Sequence, residues 1–281
     1  MSIVRSTRKM QTLAREATGQ GKTIGLVPTM GYLHEGHLSL VRRTRRQADV
    51  VIVSIFVNPA QFAPGEDLSK YPRSEKSDIK RAMEAGADIV FIPRADDIYP
   101  PGFQTWVSVE HLTRSLEGSS RPTHFRGVTT IVAKLFNITR PDLAVFGMKD
   151  FQQAIVLKRM TSDLGYSIKF IIAPTVREKD GLAMSSRNKY FSAAQRPEAC
   201  CLYYALRTAR EMAKSGVVSG KRIDREIRAA IKATSPTARI DYIAFTDADS
   251  LTPVRKIVKG TICSLAVVVH RVRLIDNMKL I

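Results

Sequence analysis

Two of the five histidines in this chain of 281 residues, His34 and His37, close the run Pro28, Thr29, Met30, Gly31, Tyr32, Leu33, His34, Glu35, Gly36, His37. Imidazoles three apart at the mouth of a helix can both donate to phosphate oxygens, and the unpaired N–H groups of the first helical turn favour an anion there. Gly31 and Gly36 allow the tight turn and close approach that such binding needs. A capped helix start with incidental histidines fits the same residues. Zinc is the weakest account, because no third ligand of cysteine or acid type is spaced nearby.

Three further loops carry polar groups of related kinds. Asn58, Pro59, Ala60, Gln61 and Phe62 present two amides beside a stiffening proline, which either read hydroxyls and carboxylates or close an Asx turn. Gly147, Met148, Lys149, Asp150, Phe151, Gln152 and Gln153 add a mobile cation at a helix start, with Asp150 either accepting from a ribose hydroxyl or capping the helix. Asp180, Gly181, Leu182, Ala183, Met184, Ser185, Ser186, Arg187 and Asn188 combine two hydroxyls with a guanidinium, a set that grips phosphate or forms a loop ion pair. A fifth loop, from Leu116 through Arg121 and His124 to Gly127, reads best as a connector. Gly21, Lys22 and Thr23 imitate the end of a P-loop, but Glu16 stands where its first glycine would be. With no GxSxG elbow, the four loops favour an anionic, phosphate-bearing ligand over a nucleophilic hydrolase.

The elements that must position these loops follow from periodicity. Thr23–Val27, Val50–Val57, Ile89–Ile92, Leu143–Phe146 and Ile168–Ile172 are short runs rich in Val and Ile, and read as buried strands. Between them Leu38–Gln47, Ser74–Ala85, Val128–Ile138 and Phe151–Leu164 have apolar residues three and four apart, as helices do. Such alternation implies a parallel sheet with crossover helices, whose ligands sit beyond the carboxyl ends of the strands. After about Pro174 the pattern changes to a long helix ending at Gly216, a basic helix over 221–233, and apolar runs at Ile240–Phe245, Ile262–Val269 and Val272–Ile275. The expected organisation is therefore α/β: a Rossmann-like domain over residues 1–175 and a smaller α+β domain over 176–281.

Composition sets bounds on the rest. At 44% hydrophobic the chain can form a substantial core, and no apolar run approaches the roughly 18 residues of a membrane span. The basic N-terminus lacks an apolar core, which excludes a secretory signal. It resembles a transit segment, but Met10, Leu13 and Ala17 suit a short packed helix better. Cys200, Cys201 and Cys263 form no CxxC pair, in keeping with a reduced, cytoplasmic protein. A net charge of +18 invites a polyanion. The basic clusters at Arg42, Arg43, Arg45 and Arg46 and along Lys221, Arg222, Arg225, Arg228 and Lys232 lie at helical spacing without interleaved aromatics. Solvated helix faces therefore explain them better than nucleic acid does.

The stretches PTMGYLHEGH, FVNPAQF, YPRSEKSD, EGSSRPTHFRGVTT, FGMKDFQQ and DGLAMSSRN, in this order, closely resemble the pantothenate synthetase (pantoate:beta-alanine ligase) family of the nucleotidylyltransferase superfamily. Weaker echoes, DYIAF and RLIDN, extend the match almost to the C-terminus. The resemblance implies ATP-dependent condensation of pantoate with beta-alanine through a pantoyl adenylate, releasing pyrophosphate and AMP, in a homodimer whose C-terminal domain covers the active site. It implies that His34, His37, Lys149, Ser185, Ser186 and Arg187 grip the triphosphate, and that Gly147, Asp150, Val176 and Met184 hold ribose and adenine. Gln61 and Gln153 would bind pantoate, with Pro28 and Met30 lining the pocket and Met30 also near ATP.

That chemistry suits the inventory. A carboxylate is already ionised at neutral pH, so its attack on the α-phosphorus needs charge neutralisation and alignment rather than a general base. Three positions depart from the family pattern. Met148 stands where Glu or Gln is usual, and Thr123 replaces the glycine before His124. The less acidic segment Ser74–Asp78 leaves Asp78 as the carboxylate to assist Mg2+. The rival readings are another nucleotidylyltransferase acting on a different acid, and a basic RNA-binding protein on a synthetase-like fold.

Overall fold

The computed structural model describes residues 2–63, 65, 66 and 68–281. The chain divides into two compact units, one made of residues up to Gly147 together with Gln153–Pro174, the other of Met148–Gln152 with Thr175–Ile281. The turn Met148–Gln152, which chain order puts among the first 175 residues, thus packs with the second unit.

The first unit is a six-stranded parallel sheet. Its strands are β1 (Ser2–Val4), β2 (Ile24–Thr29), β3 (Val50–Ile55), β4 (Ile89–Phe91), β5 (Leu143–Gly147) and β6 (Lys169–Ala173), in the spatial order β1-β4-β3-β2-β5-β6. From β2 the chain winds outward through β3 and β4, then returns to the other side with β5 and β6. The switch point therefore lies between β2 and β5, the position beyond whose strand ends open α/β sheets bind their ligands. The helices are α1 (Thr7–Gly19), α2 (Glu35–Arg45), α3 (Glu75–Glu84), the short α4 (Ala95–Ile98) and α5 (Glu117–Ser120), α6 (His124–Thr139) and α7 (Phe151–Asp163).

Strand alternation sorts the core into two layers. Ile24, Leu26, Ile52, Ala144 and Phe146 pack in one cluster with Met10 and Ala14 of α1 and Ile131, Leu135 and Phe136 of α6. Val27, Val51, Val53, Leu143 and Val145 form the other with Leu40 and Val41 of α2 and Ala82 of α3. Successive side chains of a strand point to opposite faces, so a sheet covered on both sides needs continuous apolar runs. The five expected strands all form. β1 was not foreseen, because three residues at a sheet edge carry too little periodicity to read. The helix expected from Leu38 begins at Glu35, so His34 is the residue that precedes its first turn.

The second unit contains α8 (Arg196–Ala199), α9 (Cys201–Lys214), α10 (Gly220–Thr234) and an antiparallel sheet of β7 (Arg239–Thr246), β8 (Ile262–Val269) and β9 (Val272–Lys279) in the order β7-β8-β9. The last strand runs four residues beyond the expected Val272–Ile275, since pairing with β8 continues through Asp276 and Asn277. On α10, Ile223, Ile227 and Ile231 are fully buried. Each such side chain contributes about 1.5–3 kcal/mol, against about 0.3–0.5 kcal/mol for an exposed i,i+4 ion pair. The apolar stripe therefore docks the helix, and its basic face, with Arg228 paired to Asp224 and Arg225 to Glu226, is left to solvent. The arginines of α2 behave alike: Arg42 pairs with Glu35, and Arg45 with Asp88 at 2.5 Å.

Candidate active site

In the first unit the predicted residues gather at the carboxyl ends of β2, β3 and β5. Pro28 lies in β2, Met30 and the histidine turn follow it, Asn58–Gln61 follow β3, and Gly147 ends β5. Gln153 is half-buried in the first turn of α7. The histidine turn is an unusual backbone path. Gly31 has φ +81° and Tyr32 φ +50°, the left-handed region that a residue with a Cβ enters only at a cost. Asp78 of α3 sustains it. Its Oδ2 accepts from the Tyr32 N–H at 2.8 Å and its Oδ1 from the Leu33 N–H at 2.7 Å. One helical turn on, Arg81 donates to the Leu33 carbonyl at 2.9 Å. A helix presents positions i and i+3 on one face, so α3 grips a donor pair and an acceptor of the same turn.

The turn delivers the histidines as a pair, with ring centroids 4.1 Å apart. The His34 N–H donates to His37 Nδ1 at 3.3 Å, which makes Nδ1 an acceptor and puts the neutral ring's proton on Nε2.

Asp78 is otherwise placed than its expected role with magnesium requires. It is 2% exposed, and each of its oxygens already accepts a backbone N–H. A hard cation needs several oxygen ligands, and among the described residues no three His, Cys, Asp or Glu side chains are grouped to hold a metal. The residue is a backbone clamp, and the protein's own side chains do not fit a resident magnesium site there.

Gln61 is 8% exposed and fixed at both ends. Its Nε2 lies 2.8 Å from Met30 Sδ, and its Oε1 accepts from Asn58 Nδ2 at 3.2 Å. Asn58 makes the Asx turn as well, accepting from the Ala60 N–H at 3.3 Å, and its Oδ1 accepts from the Tyr99 hydroxyl at 2.9 Å. The Asx turn of the two readings is therefore present in this segment. The loop from Leu116 to Gly127, expected only to connect, is tied to the same segment. The Gln61 carbonyl accepts from Arg121 at 3.1 Å and from His124 Nδ1 at 2.9 Å, while Arg121 takes both oxygens of Glu66 at 2.7 and 2.6 Å. Gly127 permits this, since a Cβ there would stand 2.3 Å from the Ala60 carbonyl oxygen. Burial, with the charge of Arg121, pushes His124 down to about 4, so it is a neutral Nδ1–H donor at pH 7. Burial raises the Glu66 carboxyl, but the hydrogen bond and charge of Arg121 outweigh it and hold the group below its ordinary value.

In the second unit Val176 and Met184 face each other across a small hairpin, the Met184 N–H donating to the Val176 carbonyl at 3.0 Å. Beyond it Ser185 opens a short 3-10 turn, Ser186–Tyr190, its Oγ accepting from the Arg187 N–H at 3.3 Å. Arg177 anchors the hairpin, joined to Asp276 at 2.6 and 3.0 Å and to the Gly181 carbonyl at 3.1 Å. Arg196 bridges Glu178 and Asp180 at 2.7 and 3.0 Å, and Asn188 donates to Glu178 at 2.8 Å. Lys149 reaches Asp150 at 3.2 Å. Reasoning from residue types missed Arg81, Asn58 as a hub, Arg121 with His124, and Asp276. A buried acid in an apolar strand was the one legible signal among them. The three cysteines are buried and free, and burial raises Cys200 to about 11 and Cys201 to about 12, so neither is a nucleophile.

The sequence matches the family model described as pantoate-beta-alanine ligase over residues 2–279. A pantothenate synthetase of Moorella thermoacetica is 51% identical over 280 residues, spanning 100% of this chain and 99% of that protein. Another, from Geobacter sulfurreducens, is 51% identical over 277 residues, 99% of this chain and 98% of its own length. The crystal structure of pantothenate synthetase from Thermus thermophilus matches with a TM-score of 0.94 at 43% identity, covering 100% of this chain and 99% of that one. The pantoate-beta-alanine ligase of Francisella tularensis, solved in complex with beta-gamma ATP and beta-alanine, matches with a TM-score of 0.81 at 33% identity, covering 99% and 97%. With family model, sequence relatives and fold agreeing over essentially the whole length, this chain belongs to the pantoate-beta-alanine ligase family.

Proposed function

We propose a division of labour among the residues of this ligase, which condenses pantoate with beta-alanine through an adenylate at the expense of ATP. His34, His37, Lys149, Ser185, Ser186 and Arg187 neutralise and align the triphosphate. Gly147, Asp150, Val176 and Met184 hold ribose and adenine, with Met30 beside them. Gln61 and Gln153 orient pantoate in a pocket walled by Pro28 and Met30. The chain works as a homodimer, and magnesium arrives with the ATP phosphates and water rather than on protein carboxylates.

The observation that carries this reading is the turn after β2, where a buried carboxylate holds a left-handed backbone so that two imidazoles stand together at the mouth of α2. Donors fixed before the substrate arrives need no reorganisation as charge builds on the phosphates. In the first step the ionised pantoate carboxylate attacks the α-phosphorus and pyrophosphate leaves. In the second the beta-alanine amine attacks the acyl carbon and AMP leaves. Neither the histidine pair nor Lys149 is needed as a base for the first step, which asks only for alignment and neutralisation.

A substrate-omission assay tests the reading. Pyrophosphate should appear only when ATP, magnesium and pantoate are together, and AMP with pantothenate only when beta-alanine is added. Pyrophosphate release without pantoate would remove the assignment. Lys149→Ala and His34→Ala should each slow pyrophosphate release by more than about tenfold with the fold intact, the loss of a donor that acts in the transition state. Sedimentation of the purified chain as a monomer would remove the dimer.

A further inference from the structure

Asn277, near the end of β9, is 5% exposed, and its role is not explained by the strand it belongs to. Its Nδ2 donates to two consecutive carbonyls, Met148 at 2.8 Å and Lys149 at 2.9 Å. Both contacts are acceptors, so the amide can stand only one way round. Its Oδ1 is buried with no hydrogen-bond partner, so the side chain is not placed there for its own satisfaction. The neighbouring Asp276, 4% exposed, holds Arg177 by two bonds at 2.6 and 3.0 Å. It also accepts from the Asn277 N–H at 2.7 Å, while Arg177 reaches the Asn277 carbonyl at 3.4 Å. Successive residues of a strand point to opposite faces, which lets one strand end grip two different loops.

We infer that Asn277 is a positioning residue for the adenylation step: it fixes the backbone from which Lys149 projects, and through Asp276 and Arg177 it ties that turn to the hairpin leading into Ser185, Ser186 and Arg187. The inference rests on the reading of Lys149 as a phosphate-gripping residue. Met148 and Lys149 lie in a short 3-10 turn, Met148–Asp150, that leads directly into α7. Without the amide, the turn keeps its sequence and loses its place. A long, flexible lysine then samples many positions, and catalysis depends on only one of them.

Asn277→Asp tests this with almost no change of shape, since it sets a carboxylate oxygen against two carbonyls that the amide had satisfied. Asn277→Ala removes both donors. Each should lower kcat for pantoate-dependent pyrophosphate release by about tenfold to a hundredfold, the cost of misplacing a group by about 1 Å. KM for pantoate should stay near its wild-type value. The Asn277→Ala/Lys149→Ala double variant should be no slower than Lys149→Ala alone, because the two changes remove one and the same interaction. A wild-type rate in either folded Asn277 variant overturns the inference, and so do losses that multiply in the double variant. If Asn277→Ala unfolds by thermal melting, the isosteric Asn277→Asp decides. If the wild-type protein makes no pyrophosphate with pantoate, or Lys149→Ala is fully active, it is the underlying functional reading that fails.

Discussion

The turn after β2 and the turn after β5 both end a parallel strand and both present cations or donors, yet they are held in different ways. In the first, Asp78 and Arg81 reach peptide groups of residues 45 to 48 positions earlier, and the clamp is a buried carboxylate on backbone N–H groups. In the second, the clamp is an amide 128 and 129 residues away, supported by an ion pair between Arg177 and Asp276. The first turn carries a left-handed residue and is fixed by its backbone. The second is held through its carbonyls by a buried amide, and it bears the long lysine. The difference teaches that a turn at a strand end can be held through its N–H groups by a buried carboxylate or through its carbonyls by a buried amide.

Substitutions at the two clamps sharpen that contrast. The largest stability effect should follow Arg177→Met, which leaves Asp276, its side chain 3% exposed, as an uncompensated buried charge. A loss of about 3–5 kcal/mol is expected from denaturant unfolding. Asp78→Asn should come next: one carboxylate oxygen becomes an NH2 facing a backbone N–H, for about 1–3 kcal/mol. Adenylation should fall with it, since the histidine pair loses its backbone support. An unchanged rate in a folded Asp78→Asn protein would show that the turn keeps its path without the clamp.

A third expectation concerns pH. His124 is held near 4 in the folded chain by burial and the charge of Arg121, below the 6.5 of an ordinary imidazole. A depressed folded value means the unfolded chain binds more protons between these limits. Stability is therefore complete above about pH 6.5 and falls as pH drops toward 4, by roughly 3 kcal/mol at most. His124→Gln should flatten that part of the stability curve relative to wild type, whereas parallel curves would mean the imidazole does not titrate as described. The smallest effect belongs to Arg228→Ala on α10. The Arg228 side chain is 53% exposed, and loss of its pair with Asp224 should shift stability by no more than about 0.5 kcal/mol.

Much of the molecule is legible from residue types alone. The runs at Val50 and Leu143 are too apolar for anything but strands covered on both faces, and Ile223, Ile227 and Ile231 set the buried stripe of α10 within its basic surroundings. His34 and Lys149 stand out because polar residues crowd where such strands must end, and Ser185 because a second hydroxyl and an arginine follow it. Less legible was the loop around Arg121 and His124, which has the composition of a connector. Its attachment to Gln61 depends on α6 approaching the Asn58–Gln61 segment closely enough that only glycine fits at 127.

What the sequence by itself determined is the list of chemically able groups and the local elements that carry them, because periodicity and turn chemistry act over a few residues. Tertiary structure alone decided what each polar group serves. Asp78 is a plausible magnesium carboxylate until both of its oxygens are found on peptide N–H groups, and Asn277 is an unremarked polar residue past an apolar run until its amide is found on the Met148 and Lys149 carbonyls. A hydrogen bond depends on position to within a few tenths of an ångström, and chain segments more than forty residues apart reach such positions only through the packing of the elements between them.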